Sequence, residues 1–180
     1  AGSITETGAT ITWTTNEPST SQVEYGTTVA YGSQTTLNPT LVTSHSVNLT
    51  GLQPWTTYHY RVKSTDASGN AGVSGDRTFQ TDDNTPPVIS GVDDSGTGDT
   101  GTTIIWTTSE PATSRVDYGL TTGYGQTAQN ASLATSHSLP LTGLTPGTTY
   151  HYRARSTDEA GNERTTGDYT FQTTDTGAPT

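Results

Sequence analysis

Carboxylates, histidines and hydroxyls are the groups in this sequence that could bind or react, and their spacing limits what they can do. Acidic side chains crowd the middle of the chain, where Asp82, Asp83 and Asn84 are followed by Asp93, Asp94 and Asp99. These are oxygen ligands of the kind that Ca2+ gathers, about six to eight at a time. The regular ligand order of an EF-hand loop is missing, and a solvated acidic linker explains the same residues, so calcium is the one cofactor candidate and the linker is the favoured reading. Four histidines, His45, His59, His137 and His151, could hold zinc only by converging, and neither cysteine nor an HExxH pattern accompanies them. They read as structural or surface histidines.

Nucleophilic chemistry has no better footing. Serines and threonines are abundant, but there is no G-x-S-x-G elbow, no glycine-rich phosphate loop and no carboxylate pair of glycosidase type. Glu17, Glu24, Glu110 and Asp117 recur at equivalent places in the two halves of the chain, which fits a role in the module better than a duplicated active site. No catalytic residue is assigned. Two acceptor sequons for N-linked sugar stand at Asn48-Leu49-Thr50 and Asn130-Ala131-Ser132. Trp55, opposite Gly147 in the other half, could stack on a sugar face; capping of its own loop is the simpler reading, since isolated surface apolar residues need no explanation.

The elements that must position these groups come in two sets. Slid against itself, the sequence aligns Ile11–Thr15 with Ile104–Thr108, Glu17-Pro18 with Glu110-Pro111 and Tyr25-Gly26 with Tyr118-Gly119. Beyond a one-residue gap, Thr43–Ser46 aligns with Thr135–Ser138, Tyr58–Arg61 with Tyr150–Arg153 and Phe79–Thr81 with Phe171–Thr173. Between the copies lies Asp82–Pro87, where two prolines cannot donate to a ladder and an acidic run has nothing to bury. We expect two domains, 1–83 and 84–180. The second opens with Pro87-Val88-Ile89-Ser90-Gly91-Val92, an apolar strand that the first does not match, so the first strand of domain one is expected to be shortened and its sheet edge open. With no methionine, a start at Ala1 and an end at Asp175–Thr180 that repeats the linker, the chain reads as a segment of a longer array.

Composition narrows the class. Hydrophobic residues are 27% and charged residues only 13%. Threonine supplies about a quarter of the chain, and its branched, half-apolar side chain suits a half-buried sheet surface. Net charge is -10, which disfavours nucleic acid and anionic membranes as partners, and no apolar run is long enough for a spanning helix. Short Thr, Val, Ile and Tyr runs alternate in character and are punctuated by Gly, Pro and Asn, while no helix-period stretch occurs. Ile11 and Trp13 share one face of a second strand, as do Ile104 and Trp106; Val23 with Tyr25, and Val116 with Tyr118, do so on a separate third strand. The Asp66–Asn70 and Asp158–Asn162 segments read as tight turns with a left-handed residue.

The segment Leu49–Val62, with Leu52, Pro54, Tyr58 and Tyr60, resembles the tyrosine-corner region of fibronectin type III domains, and Leu144, Pro146, Tyr150 and Tyr152 repeat it. Trp13 and Trp106 match that family's second-strand tryptophan. The Thr14–Gly26 and Ser64–Asn70 runs are similar to modules of secreted prokaryotic hydrolases and surface proteins, and to the module preceding purple acid phosphatase catalytic domains. The resemblance implies an all-β chain of two tandem immunoglobulin-like (fibronectin type III) antiparallel β-sandwiches, extracellular or on the cell surface. It implies a non-catalytic spacer, presentation or adhesion module whose partners are other domains of the same parent chain. Two rivals are kept: a homo-oligomeric filament or adhesin completed by strand exchange, motivated by the open edge, and a carbohydrate-binding module with a polysaccharide partner, motivated by Trp55. An Arg-Gly-Asp adhesion motif is absent, so integrin binding does not carry over.

Overall fold

The computed structural model describes residues 1–177; Ala178, Pro179 and Thr180, assigned above to the end of the second domain, lie outside the described residues. Among the described residues every regular element is a strand. The chain parts into two compact units between Asn84 and Thr85, within the acidic, proline-containing stretch.

The first unit contains β1 (Gly8–Gly26), β2 (Ser33–Gln34), β3 (Asn38–Thr50), β4 (Thr57–Thr65), β5 (Ala71–Val73) and β6 (Arg77–Gln80). Its two layers are joined by β1. The first half of that strand pairs antiparallel with β3, from Gly8 opposite Thr50 to Thr14 opposite Ser44. The second half pairs with β4, from Gln22 opposite Lys63 to Gly26 opposite His59, while β5 and β6 extend β4 on its far side. The second unit repeats the plan with β7 (Ile89–Ser95), β8 (Gly101–Gly119), β9 (Gln126–Thr142), β10 (Thr149–Thr157), β11 (Glu163–Thr165) and β12 (Tyr169–Gln172). Here β8 takes the place of β1, and β7 pairs along its first half.

One expectation is corrected. The second and third strands are not separate: each pair forms a single continuous strand, β1 or β8, that bends from one layer into the other. The bend falls where Pro18 or Pro111 cannot donate to a ladder and the register with the next strand slips, between Thr14 and Ser19 and between Thr107 and Ala112. At the bend the Thr15 hydroxyl donates to the Glu17 carbonyl at 2.8 Å, and Thr108 does the same to Glu110 at 2.7 Å, so a side chain satisfies the carbonyl that the bulge removes from the ladder.

Strand alternation places the core between the layers. In the first unit Ile11, Val23, Leu49, Leu52, Tyr58 and Phe79 are buried together. In the second, Ile104, Val116, Leu141, Leu144, Tyr150 and Phe171 occupy the equivalent positions, with Trp106 and Tyr152. Each such side chain contributes about 1.5–3 kcal/mol on leaving water.

The corner tyrosines close the loop ahead of β4 and β10. Tyr58 is buried, and its hydroxyl accepts the Gln53 amide at 3.0 Å; Tyr150 accepts that of Thr145 at 3.0 Å. A buried threonine completes each corner, Thr81 donating to the Gln53 carbonyl at 2.7 Å and accepting the Thr56 amide at 2.9 Å, with Thr173 in the same role. Removing the hydroxyl strands an amide donor. Tyr150→Phe is therefore expected to cost about 1–2 kcal/mol, seen as a lower urea midpoint at unchanged slope, with Tyr58→Phe losing a similar amount.

Candidate functional site

The most elaborate polar constellation lies on the outer face of the second layer, and it is built twice. In the first unit Glu24 on β1 faces Arg61 on β4 in register, and the Arg61 Nε donates to its carboxylate at 2.6 Å while Lys63 reaches it at 3.2 Å. The Tyr31 ring lies over the Arg61 guanidinium, 4.7 Å from its centroid, and the Tyr31 hydroxyl donates to Asp76 at 3.1 Å. The other Asp76 oxygen holds the His59 Nδ1 at 2.8 Å. The Arg61 bond in particular holds the Glu24 carboxyl below its ordinary range, and the His59 bond does so for Asp76. Burial, and then the Asp76 carboxylate, push the Tyr31 phenol up.

The second unit keeps the same parts. Tyr124 covers Arg153 at 4.7 Å and donates to Asp168 at 3.1 Å, and Asp168 holds His151 at 2.7 Å. Asp117 replaces Glu24, is nearly fully buried and accepts from Arg115, Arg153 and Arg155 at 2.8, 3.0 and 3.2 Å. Burial opposes its charge, but the three guanidinium bonds outweigh that and lower its pKa to about 2. A carboxylate ionised so firmly is neither a proton donor nor a useful base near neutrality.

Backbone strain fixes the tyrosines. Tyr31 and Tyr124 both sit at φ +58°, a left-handed conformation that costs a non-glycine residue about 1–2 kcal/mol. Their carbonyls rest against Gly26 and Gly119, where a Cβ would meet the oxygen at 1.4 and 1.6 Å, so only glycine fits. An open depression of about 280 Å³ borders Tyr31, Gln34 and Arg61. Its charged groups, Glu24 and Arg61, bond to each other, and the arrangement clamps β1 to β4.

Two of the histidines prove deeply buried. His45 and His137 are each 2% exposed and stack on Trp13 and Trp106 with ring centroids 4.6 and 4.8 Å apart. The two ring nitrogens of His45 meet Ser21 at 2.8 Å and Thr15 at 3.0 Å, and those of His137 meet Ser114 and Thr108 at 2.8 and 2.9 Å. Hydroxyl rotors can serve a neutral ring of either tautomer, and burial lowers both pKa values.

The remaining candidates lie in both units. Asp82, Asp83 and Asn84 end the first unit, and Asp93, Asp94 and Asp99 belong to the second. The Asp82 amide and carbonyl bond Thr5 and Trp55, and the Asn84 amide donates to Glu6. Asp93 accepts the Asp94 amide, Asp94 accepts the Thr97 hydroxyl, and Asp99 accepts the hydroxyls of Thr174 and Thr176, which lower its pKa. Among the described residues Asp93, Asp94 and Asp99 do not converge as a metal-holding group of three. Asn48 and Asn130 are exposed on β3 and β9, their side-chain oxygens accepting from Thr10 and the Ser132 amide. Trp55 is 38% exposed at φ +45°, where the second unit has Gly147 at φ +63°. The turn aspartates Asp66 and Asp158 each accept the amide of the asparagine four residues on at 2.8 Å, with Gly69 and Gly161 left-handed.

Sequence reasoning missed the Tyr–Arg–Asp–His clamp, because its members are far apart in the chain. The usable signal was that Tyr31-Gly32 and Gly75-Asp76 both recur, as Tyr124-Gly125 and Gly167-Asp168.

Two pH-dependent outcomes follow from these groups. Asp117 has a folded pKa of about 2 against an ordinary 3.8, so the stability it adds is complete above about pH 4 and is lost as pH falls through 2. That component is on the order of 2 kcal/mol. Asp117→Asn, which removes the negative charge that three arginines share and keeps one accepting oxygen, is expected to cost on the order of 2–3 kcal/mol at pH 7, the gap from the parent narrowing towards pH 2 in denaturant titrations. The histidines act higher on the scale. Because the folded pKa values lie below the ordinary 6.5, their contribution is present above 6.5 and is lost as pH falls below it towards the folded values. A His45→Gln/His137→Gln variant is expected to show a flatter stability slope between pH 6.5 and 5, whatever its baseline.

Comparison with known proteins follows the duplication. The model of the purple acid phosphatase N-terminal domain matches residues 1–81 and again residues 92–173. Endoglucanase B of Cellulomonas fimi is 34% identical over 176 residues, covering 90% of this chain and 16% of that protein. Exoglucanase B of the same species is 32% identical over 170 residues, covering 90% of this chain and 15% of that protein. The chain thus spans about a sixth of the length of these curated relatives. A solved structure of the FN1–FN3 domains of chicken CNTN1 aligns over 95% of this chain and 63% of that one, at 16% identity and a TM-score of 0.45. With one family model satisfied twice along a sequence whose core, corner and clamp are also built twice, the chain belongs to the purple acid phosphatase N-terminal domain family, a fibronectin type III-like fold, in two copies.

Proposed function

We propose that the two units are a non-catalytic spacer and presentation module of a larger extracellular protein that acts on a polysaccharide. The observation that carries this reading is that the recurring carboxylates of the clamp, Glu24 and Asp117, are each engaged by two or three basic partners and serve to tie strands together. The relatives support it: named for glucan hydrolysis, they are aligned with this chain over only 16% and 15% of their length, which leaves the bulk of each protein for catalysis. No helix among the described residues is long and apolar enough to cross a membrane. A net charge of -10 favours solubility.

A second reading gives the chain polysaccharide affinity of its own through Trp55. What favours it is a large ring, 38% exposed, kept at a left-handed position that the second unit fills with glycine. Strain of this kind persists where something offsets it.

One set of measurements on the isolated chain separates these readings. A spacer is expected to scatter light as a monomer near 18.9 kDa over a range of concentrations, to release neither reducing sugar from glucan nor phosphate from esters, and to stay in solution when mixed with insoluble cellulose. Turnover by the chain would end the spacer reading. Retention on cellulose that Trp55→Ala abolishes would replace it with the second.

A further inference from the structure

Two asparagines open Asn-x-Ser/Thr sequences, and the fold treats them differently. Asn48, Leu49 and Thr50 lie in the regular ladder of β3, opposite Thr10, Ala9 and Gly8 of β1. Leu49 is 2% exposed within the core, and the Asn48 Oδ1 accepts the Thr10 hydroxyl at 2.9 Å. For these three residues to enter the active site of a transferring enzyme, the pairing of β1 with β3 must first open.

Asn130, Ala131 and Ser132 are all exposed, and they sit at a bulge. Between Ala112 opposite Ala134 and Ser114 opposite Asn130, β8 advances two residues while β9 advances four, so Ala131, Ser132 and Leu133 stand out from the ladder. The Ser132 amide donates to the Asn130 Oδ1 at 3.0 Å, an Asx turn that occupies the side-chain oxygen and leaves the carboxamide nitrogen as the other arm. The first unit builds the same turn. There Ser19 faces Val42, Ser21 faces Asn38, and the Thr40 amide donates to the Asn38 Oδ1 at 3.0 Å. Pro39 closes that sequence to glycosylation, whereas Ala131 leaves its counterpart open. A depression of about 220 Å³ beside Asn130 is bordered by Arg115, Gln129, Thr157 and Glu163. In the first unit Leu37 and Ala71 replace Gln129 and Glu163.

We propose that Asn130 is an acceptor of N-linked oligosaccharide in the folded protein, and that Asn48 is not. In the transfer, the Asn130 Nδ2 attacks the anomeric carbon of a lipid-diphosphate-linked oligosaccharide. The new N–C bond replaces the C–O bond to the diphosphate, the lipid diphosphate leaves with that electron pair, and the carboxamide gives one proton to a base of the transferase. The bulge provides the access that a ladder position denies. Beside it, the amide of Gln129, the hydroxyl of Thr157 and the charged groups of Arg115 and Glu163 offer hydrogen-bond partners to the first sugar. Because both units keep the turn, the bulge itself serves the fold, and alanine in place of proline is what makes one copy an acceptor. This inference goes beyond the spacer reading and does not depend on it.

The test incubates the folded chain with a single-subunit oligosaccharyltransferase that takes Asn-x-Ser/Thr acceptors and with a lipid-diphosphate-linked oligosaccharide, then reads the intact mass and the modified residue by mass spectrometry. Synthetic peptides spanning each sequon serve as unfolded controls, and both are expected to be modified. The folded chain is expected to gain a glycan at Asn130 about tenfold faster, or more, than at Asn48. Ser132→Ala is expected to abolish that transfer. Pro39→Ala, at an exposed position, keeps the turn and opens the sequence, and is expected to add a second glycan at Asn38. Transfer to the Asn130 peptide but not to Asn130 of the folded chain overturns the proposal. So does transfer to Asn48 of the folded chain at a comparable rate, since the fold would then not be what selects the site.

Discussion

A tryptophan N–H cannot be taken out of water without an acceptor, and each unit is arranged around meeting that requirement. Trp13 on β1 and Trp106 on β8 reach across to the other layer, where Ser64 and Ser156 accept their indole protons at 3.0 and 2.9 Å. The ring faces are covered on the other side by His45 and His137, stacked within 5° and 9° of parallel. Stacking a histidine there creates two more buried polar atoms, and the hydroxyls of Ser21 and Thr15, or Ser114 and Thr108, take them up. Thr15 and Thr108 are also the residues that satisfy the bulge carbonyl. One chain of contacts therefore joins the bend of the long strand, the buried imidazole, the indole and the opposite layer.

This coupling explains why threonine and serine can be so frequent in a chain that is only 27% hydrophobic. Their methyl and methylene groups fill space while their hydroxyls act as adaptable donors and acceptors at the bend, the corner and the tryptophan. Thr81 and Thr173 show the economy of the arrangement, each buried and each tying two strands of the corner together with one oxygen. An aliphatic residue at either position would gain transfer energy and strand a carbonyl and an amide.

Much of this was legible from residue order, because the relevant signals are local. Ile11 and Trp13, or Ile104 and Trp106, announce a buried face by alternation, and the Leu-Pro-Tyr spacing announces the corner before any coordinates. The continuous β1 and β8 were not legible: Glu17-Pro18 reads as a break, and only pairing with two different partners shows that the backbone stays extended through it. The burial of His45 was equally hidden, since histidine carries no hydrophobic signal and its stacking partner is reached across a strand pair. The clamp of Tyr31, Arg61, Asp76 and His59 depends on tertiary contacts between β4 and two loops, which no window along the chain contains.

Duplication offers a further way to sort structural from functional features within one molecule. Where both units keep a feature, down to a strained tyrosine at φ +58° and a glycine that its carbonyl would otherwise strike, the feature serves the fold that both must adopt. Asp117 shows that such features can even be strengthened in one copy, as three arginines replace the Arg61 and Lys63 pair around Glu24. Function is to be sought where the copies part company while the fold stays the same. One such place is Trp55 on the first unit, held left-handed where Gly147 needs no holding. The strain at Trp55 is a cost that the second unit shows to be avoidable in this fold.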